Sequence, residues 1–290
     1  MIAKRLGIAL LLLLTMMTPL RAQYGFFIIQ FIPPVTVQAG PGVTVKYLAL
    51  QKGIRKIKPA SAVILFAGGN GLLNLQPDDT ITTNLSQNFV VRSRARFAQD
   101  GLFVAVVDTP NQTVIAGDVR LSADYAAEMG AVIQEVRGHI RGGGKVWLVG
   151  TSSGTISAAS IAARFPHVNL KSPFPSKINA RRPDGIVLTS TQTTVVAGVC
   201  GKTVFDANLS AINVPVLVAS HQSDVCGCSP PANAGNVIAA LTGTRAKQSI
   251  SFTGGGPPQD TDACQALTFH GFLGVENAVV DAIASWIASH

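Results

Sequence analysis

The chain has 290 residues, of which 47% are hydrophobic and only 13% charged, with a formal charge of +8. That length is enough for one large domain with a substantial buried core, and no repeat or long low-complexity tract interrupts it. The positive charge does not indicate a nucleic-acid partner. The basic residues are scattered apart from the segment 52–58, which reads as a solvated loop, and no basic stripe is interleaved with aromatics.

At the N-terminus, Lys4 and Arg5 precede the apolar run Ile8–Leu14, and Leu20-Arg21-Ala22 offers a small-residue cleavage point before Gln23. This pattern predicts a secretory signal peptide at 1–22 and a single folded domain at 23–290. An uncleaved anchor is the alternative, although the run is short for a membrane span. The expected location is periplasmic or secreted.

Residues 35–50 predict a hairpin turning at Gly40-Pro41-Gly42. Six short apolar runs bounded by turn residues predict strands at Ala62–Phe66, Leu102–Val107, Lys145–Val149, Gly185–Leu188, Val214–Ser220 and Gln248–Phe252. Helical patterns lie between and after them, at Ser122–Ile140, Ser153–Arg164, Pro231–Leu241 and Val275–Ser289. The alternation predicts an α/β fold, with a mostly parallel central sheet covered by helices on both faces. The segment between the fourth and fifth of these strands is too short for a large cap domain, so an open site is expected. Trp147, in mid-strand, reads as core.

The strand ending at Val149 runs into Gly150-Thr151-Ser152-Ser153-Gly154 and then a helix with small residues. This is G-x-S-x-G between strand and helix, the context in which a serine is pushed above the sheet edge as a nucleophile. Gly150 and Gly154 supply the space for the elbow, and the Ser153 N–H at the helix N-terminus is placed to stabilise an oxyanion. A serine hydroxyl needs a base. His270, in a loop before the last helix, is the candidate; His290 is terminal. The orienting acid is expected at the end of a strand between the two, which selects Asp224, with Asp206 as runner-up. The second oxyanion donor is expected in Ala67-Gly68-Gly69-Asn70-Gly71, from Gly69, with Asn70 as a side-chain alternative or support. This loop carries neither G-K-[ST] nor G-x-G-x-x-G, so no nucleotide is expected.

Four cysteines, Cys200, Cys226, Cys228 and Cys264, predict two disulfides in an exported chain. A Cys226–Cys228 bridge would close too tight a ring, so Cys200 pairs with one of them and Cys264 with the other. A zinc site on Cys226, Cys228 and Cys264 is the rival, weakened by its spacing; no metal is expected.

The motifs LFAGGNG (65–71), VGTSSGT (149–155), HQSDVCGC (221–228) and FHGF (269–272) together resemble the α/β-hydrolase superfamily. In outline the chain looks like its small exported bacterial esterases and dienelactone-hydrolase-like members. The loop departs from the common His-Gly-Gly pattern, with Ala67 where the histidine often stands. The resemblance implies attack by Ser152 on a small or medium ester or related acyl group, an acyl-enzyme, and no cofactor. A peptidase, thioesterase or acyltransferase would use the same triad, and a non-catalytic binding protein could occupy the same fold. The sequence does not indicate an oligomeric state.

Overall fold

The computed structural model describes residues 28–53, 57–165 and 180–290. The signal peptide predicted at 1–22 lies outside the described residues, as do residues 54–56 of the basic segment.

The chain opens with the antiparallel strands β1 (Ile29–Gly40) and β2 (Val43–Lys52). They turn at Pro41-Gly42, where Gly42 takes a positive φ of 69°. Pro33 and Pro34 coincide with a register break between Ile32 and Val35. The break is tolerated because β1 is an edge strand with one free side. Six strands follow, all parallel to one another: β3 (Ser61–Phe66), β4 (Phe103–Val107), β5 (Lys145–Thr151), β6 (Gly185–Thr189), β7 (Val216–His221) and β8 (Lys247–Phe252). All eight form one sheet in the order β1-β2-β4-β3-β5-β6-β7-β8, and the hairpin joins it antiparallel to β4.

Among the described residues the helices are α1 (Phe89–Arg92), α2 (Arg94–Gln99), α3 (Gly117–Arg120), α4 (Ala123–Arg137), α5 (Gly154–Arg164), α6 (Ala234–Ala240) and α7 (Glu276–Ser289). The strands read as unbroken apolar runs because alternate side chains enter two cores. Ala62, Ile64 and Phe66 of β3 join the core beneath α4 and α5, with Met129, Ile133, Val136 and Ile161. Val63 and Leu65 join the other, with Phe89 and Phe97 of α1 and α2 and Val279, Ile283 and Ile287 of α7. Each such aliphatic side chain contributes about 2 kcal/mol on burial. Trp147 is fully buried in this second core, as predicted, and a Cβ at Gly185 would collide with its ring.

Two helix predictions need correction. The helix expected over 122–140 stops at Arg137, where Gly138 takes the C-cap. The one expected over 231–241 begins as a 3₁₀ turn at Pro231–Asn233 and becomes α-helical only from Ala234. The proline pair Pro230-Pro231 removes two N–H donors there. The helices α1, α2 and α3 were not expected. The segment between β6 and β7 holds short 3₁₀ turns and an end of the Cys200–Cys228 disulfide, with no cap domain among the described residues.

Ser122 caps α4, its side chain accepting from the Tyr125 N–H at 3.1 Å. Ser122→Ala is expected to cost about 1 kcal/mol, read as a Tm lower by about 3 °C in thermal unfolding, with activity unchanged.

Candidate active site

β5 ends at Thr151, and Ser152 follows with a positive φ of 55°, a conformation that L-residues avoid. It is held by a Ser152 N–H to Thr189 carbonyl bond of 3.0 Å and by Thr155, whose N–H and hydroxyl both donate to the Ser152 carbonyl. The glycines are sterically required. A Cβ at Gly150 would strike the Gly154 carbonyl, and one at Gly154 would strike the Phe66 carbonyl. Gly68 belongs to the same arrangement: its Cβ would stand 2.9 Å from Ser152 Cβ.

Asp224 lies three residues beyond the end of β7 and is buried. Its Oδ1 accepts from the Cys226 N–H at 2.9 Å, and its Oδ2 meets His270 Nδ1 at 2.9 Å. That bond assigns the Nδ1 proton to the Asp224 side and leaves His270 Nε2, which is buried without a partner among the described residues, as the acceptor. Asp206 does not reach this imidazole; its carboxylate caps a 3₁₀ turn through Thr203. His290 lies elsewhere, stacked on Trp286 at the end of α7. His221 is a core histidine, stacked on Phe269 at 4.8 Å and bonded to the Gly254 carbonyl and the Ser223 N–H.

Ser152, Ser153, His270, Gly69 and Asn70 line one cleft of about 310 Å³ at the C-terminal ends of the parallel strands. The main-chain N–H groups of Gly69 and Ser153 make no hydrogen bond among the described residues, so both remain free to donate. Asn70 instead turns Oδ1 onto the Leu72 N–H at 3.2 Å, which stabilises the loop from within.

Both disulfides join the residues expected to bridge: Cys200 to Cys228 and Cys226 to Cys264. Cys226, Cys228 and Cys264 do gather within 4.8 Å of one another, but each sulfur is consumed in a bridge. That removes the thiolates the zinc alternative needs.

Several residues shaping the cleft gave no sequence signal. Ser190 donates to the His270 carbonyl at 2.6 Å, and Thr268 accepts from the His270 N–H. Gln192 accepts from the Ser153 hydroxyl at 2.9 Å and donates to the Lys202 carbonyl. Asn88 lines the cleft with a buried Oδ1 that has no hydrogen-bond partner among the described residues. Arg92 donates to the carbonyls of Gln87, Ala266 and Gly271 and pairs with Glu276 at 2.8 Å. It thereby clamps the histidine loop to the start of α7. Arg92→Ala is expected to lower kcat/KM for an ester about tenfold, consistent with a sub-ångström displacement of His270. Steady-state kinetics on the folded variant checks this.

No protein-family model matches the chain, and no curated protein matches it in sequence. Solved structures do match. A dienelactone hydrolase-like promiscuous phosphotriesterase from metagenomic libraries superposes with a TM-score of 0.56 at 15% identity, over 90% of this chain and 98% of that one. An esterase from the fungus Rhizomucor miehei gives 0.55 at 12% identity, over 91% and 82%. An α/β serine hydrolase without lid from Xanthomonas campestris gives 0.53 at 14%, over 90% and 94%.

The chain has the α/β-hydrolase fold. The sheet order, the hairpin at one edge and the short β6–β7 connection are thus features of an α/β-hydrolase fold lacking a large cap, as the sequence predicted. In such open α/β sheets, ligands bind outside the carboxyl ends of the strands. The cleft holding Ser152 and His270 lies there.

Proposed function

We propose that this chain is an extracytoplasmic serine hydrolase of carboxylic esters, with Ser152 as nucleophile, His270 as base and Asp224 as orienting acid. The observation that carries the reading is the buried Asp224–His270 pair at 2.9 Å, its second imidazole nitrogen unpartnered, lining the same cleft as a serine in a positive-φ elbow. The fold supports it, since the named neighbours are described as hydrolases and esterases.

In this mechanism His270 Nε2 takes the Ser152 proton as Oγ attacks the acyl carbon, and Asp224 stabilises the imidazolium that forms. The Gly69 and Ser153 N–H groups donate to the developing oxyanion. The imidazolium then gives its proton to the leaving alcohol, and an acyl group remains on Ser152. Water, deprotonated by the same imidazole, attacks the acyl-enzyme and frees the acid. The cleft volume suits small or medium acyl groups.

The two disulfides support folding in an oxidising compartment, with residues 1–22 removed on export and 23–290 forming the domain. The test is turnover of a p-nitrophenyl ester series of increasing acyl length, together with fluorophosphonate labelling located by mass spectrometry. The expected result is hydrolysis and a single label on Ser152. Folded protein that neither turns over nor labels would overturn the proposal.

A further inference from the structure

Arg120 ends the short helix α3, Gly117-Asp118-Val119-Arg120, and is only 1% exposed. No carboxylate pairs with it among the described residues. Burial pulls its pKa down, but a guanidinium remains charged, so the molecule keeps an unneutralised cation in its interior. Leaving such a charge unpaired is costly, and its contacts show where it acts.

One guanidinium nitrogen donates to the Ser157 hydroxyl at 2.7 Å, in the second turn of α5. The other donates to the Gly69 carbonyl at 3.0 Å and approaches the Ala67 carbonyl at 3.5 Å. Tyr125 completes the group, its hydroxyl bonded to Ser157 at 3.1 Å. The loop makes room for the cation: a Cβ on Gly71, which has a φ of +76°, would stand 2.9 Å from the guanidinium. Arg120 thus bonds simultaneously to the loop bearing the Gly69 N–H and the helix that begins just after Ser153.

We propose that Arg120 is a positioning residue that fixes the two oxyanion donors relative to each other and places a positive charge behind them. The inference rests on the serine-hydrolase reading above and deepens it. The Gly69 carbonyl and the Asn70 N–H share one peptide plane, so a guanidinium that holds that carbonyl inward sets the orientation of the loop at the cleft. A fixed cation beneath the donors is preorganised for the transition state, where negative charge develops, and contributes little to binding the neutral ester.

The test compares wild type with Arg120→Met and Arg120→Lys on a short-chain p-nitrophenyl ester. Rates are expressed per site labelled by a fluorophosphonate. Arg120→Met is expected to lose about 100-fold in kcat with KM changed by less than about threefold. Arg120→Lys is expected to recover about tenfold, since an ammonium keeps the charge but not the fork.

An alkylboronic acid provides a second readout. Ser152 Oγ bonds to boron, its proton passes to His270, and the adduct is a tetrahedral anion. Its affinity should fall in step with kcat/KM across the Arg120 variants. Should Arg120→Met fail to fold, Arg120→Lys carries the comparison alone. A lower Tm with kcat per labelled site and boronate affinity both unchanged would make Arg120 purely structural and overturn the proposal. Wild-type protein that neither turns over nor labels would remove the hydrolase reading and this proposal together.

Discussion

Replacing Ser152 by alanine is expected to lower ester turnover by about 10⁴- to 10⁶-fold while leaving the protein folded. In the proposed mechanism the acyl group is carried by Ser152 Oγ, so the alanine variant can only bind ester and polarise its carbonyl. Stability should hardly change, because the Ser152 hydroxyl makes no hydrogen bond among the described residues and alanine meets the same backbone constraint at φ 55°. Glycine separates the two roles of the position. It relieves the positive φ, so Ser152→Gly is expected to be as inactive as alanine yet more stable by about 1 kcal/mol. Kinetics with circular dichroism melts would check both. Turnover surviving in Ser152→Ala would mean the chemistry lies elsewhere.

The elbow was legible in the sequence because its constraint is local. Gly150 and Gly154 are required by contacts within one strand–turn–helix unit and the neighbouring β3 carbonyl, and the motif records that requirement in five residues. The parallel strands were legible for a similar reason: burial on both faces leaves runs such as Ala62–Phe66 without a polar interruption. Strand ends and chain order singled out Asp224 and His270, and the structure brings their side chains to 2.9 Å from each other.

What was not legible depends on groups far apart in sequence. α1 and α2 have four and six residues, broken at Ser93, so neither gives a helical period long enough to read. Their burial comes from Phe272 and α7, nearly 200 residues on, as in the Phe89–Phe272 ring contact at 4.9 Å. Arg120 and Arg92 look like any surface arginine until the fold brings backbone carbonyls to them. His221 shows the converse. It sits in the same motif as Asp224 and is fully buried, yet its partners are the Gly254 carbonyl and a local N–H, so it serves the core.

Breaking the Cys226–Cys264 bridge is expected to lower kcat about 100-fold under conditions where the domain remains folded. Cys226 lies two residues after Asp224, and its N–H donates to that carboxylate; Cys264 lies six residues before His270. The bridge therefore joins the irregular segment after Asp224 to the irregular segment that leads into the 3₁₀ turn Phe269–Gly271, which carries His270. Without it the covalent tie between these segments is gone, and only non-covalent contacts remain, the 2.9 Å Asp224–His270 bond and the His221–Phe269 stack among them. Misplacement by about 1 Å at a reacting group is enough for a loss of this size. The Cys200–Cys228 bridge provides the contrast. It ties the Val199–Cys200 segment, which lines the cleft, to the acid loop at a residue further from Asp224. Its removal is expected to raise KM more than it lowers kcat. Paired serine variants at 226/264 and at 200/228, each assayed below its own melting transition, separate the two effects. If the 226/264 pair keeps wild-type kcat up to unfolding, the bridge serves stability alone and the acid and base are held by their own hydrogen bonds.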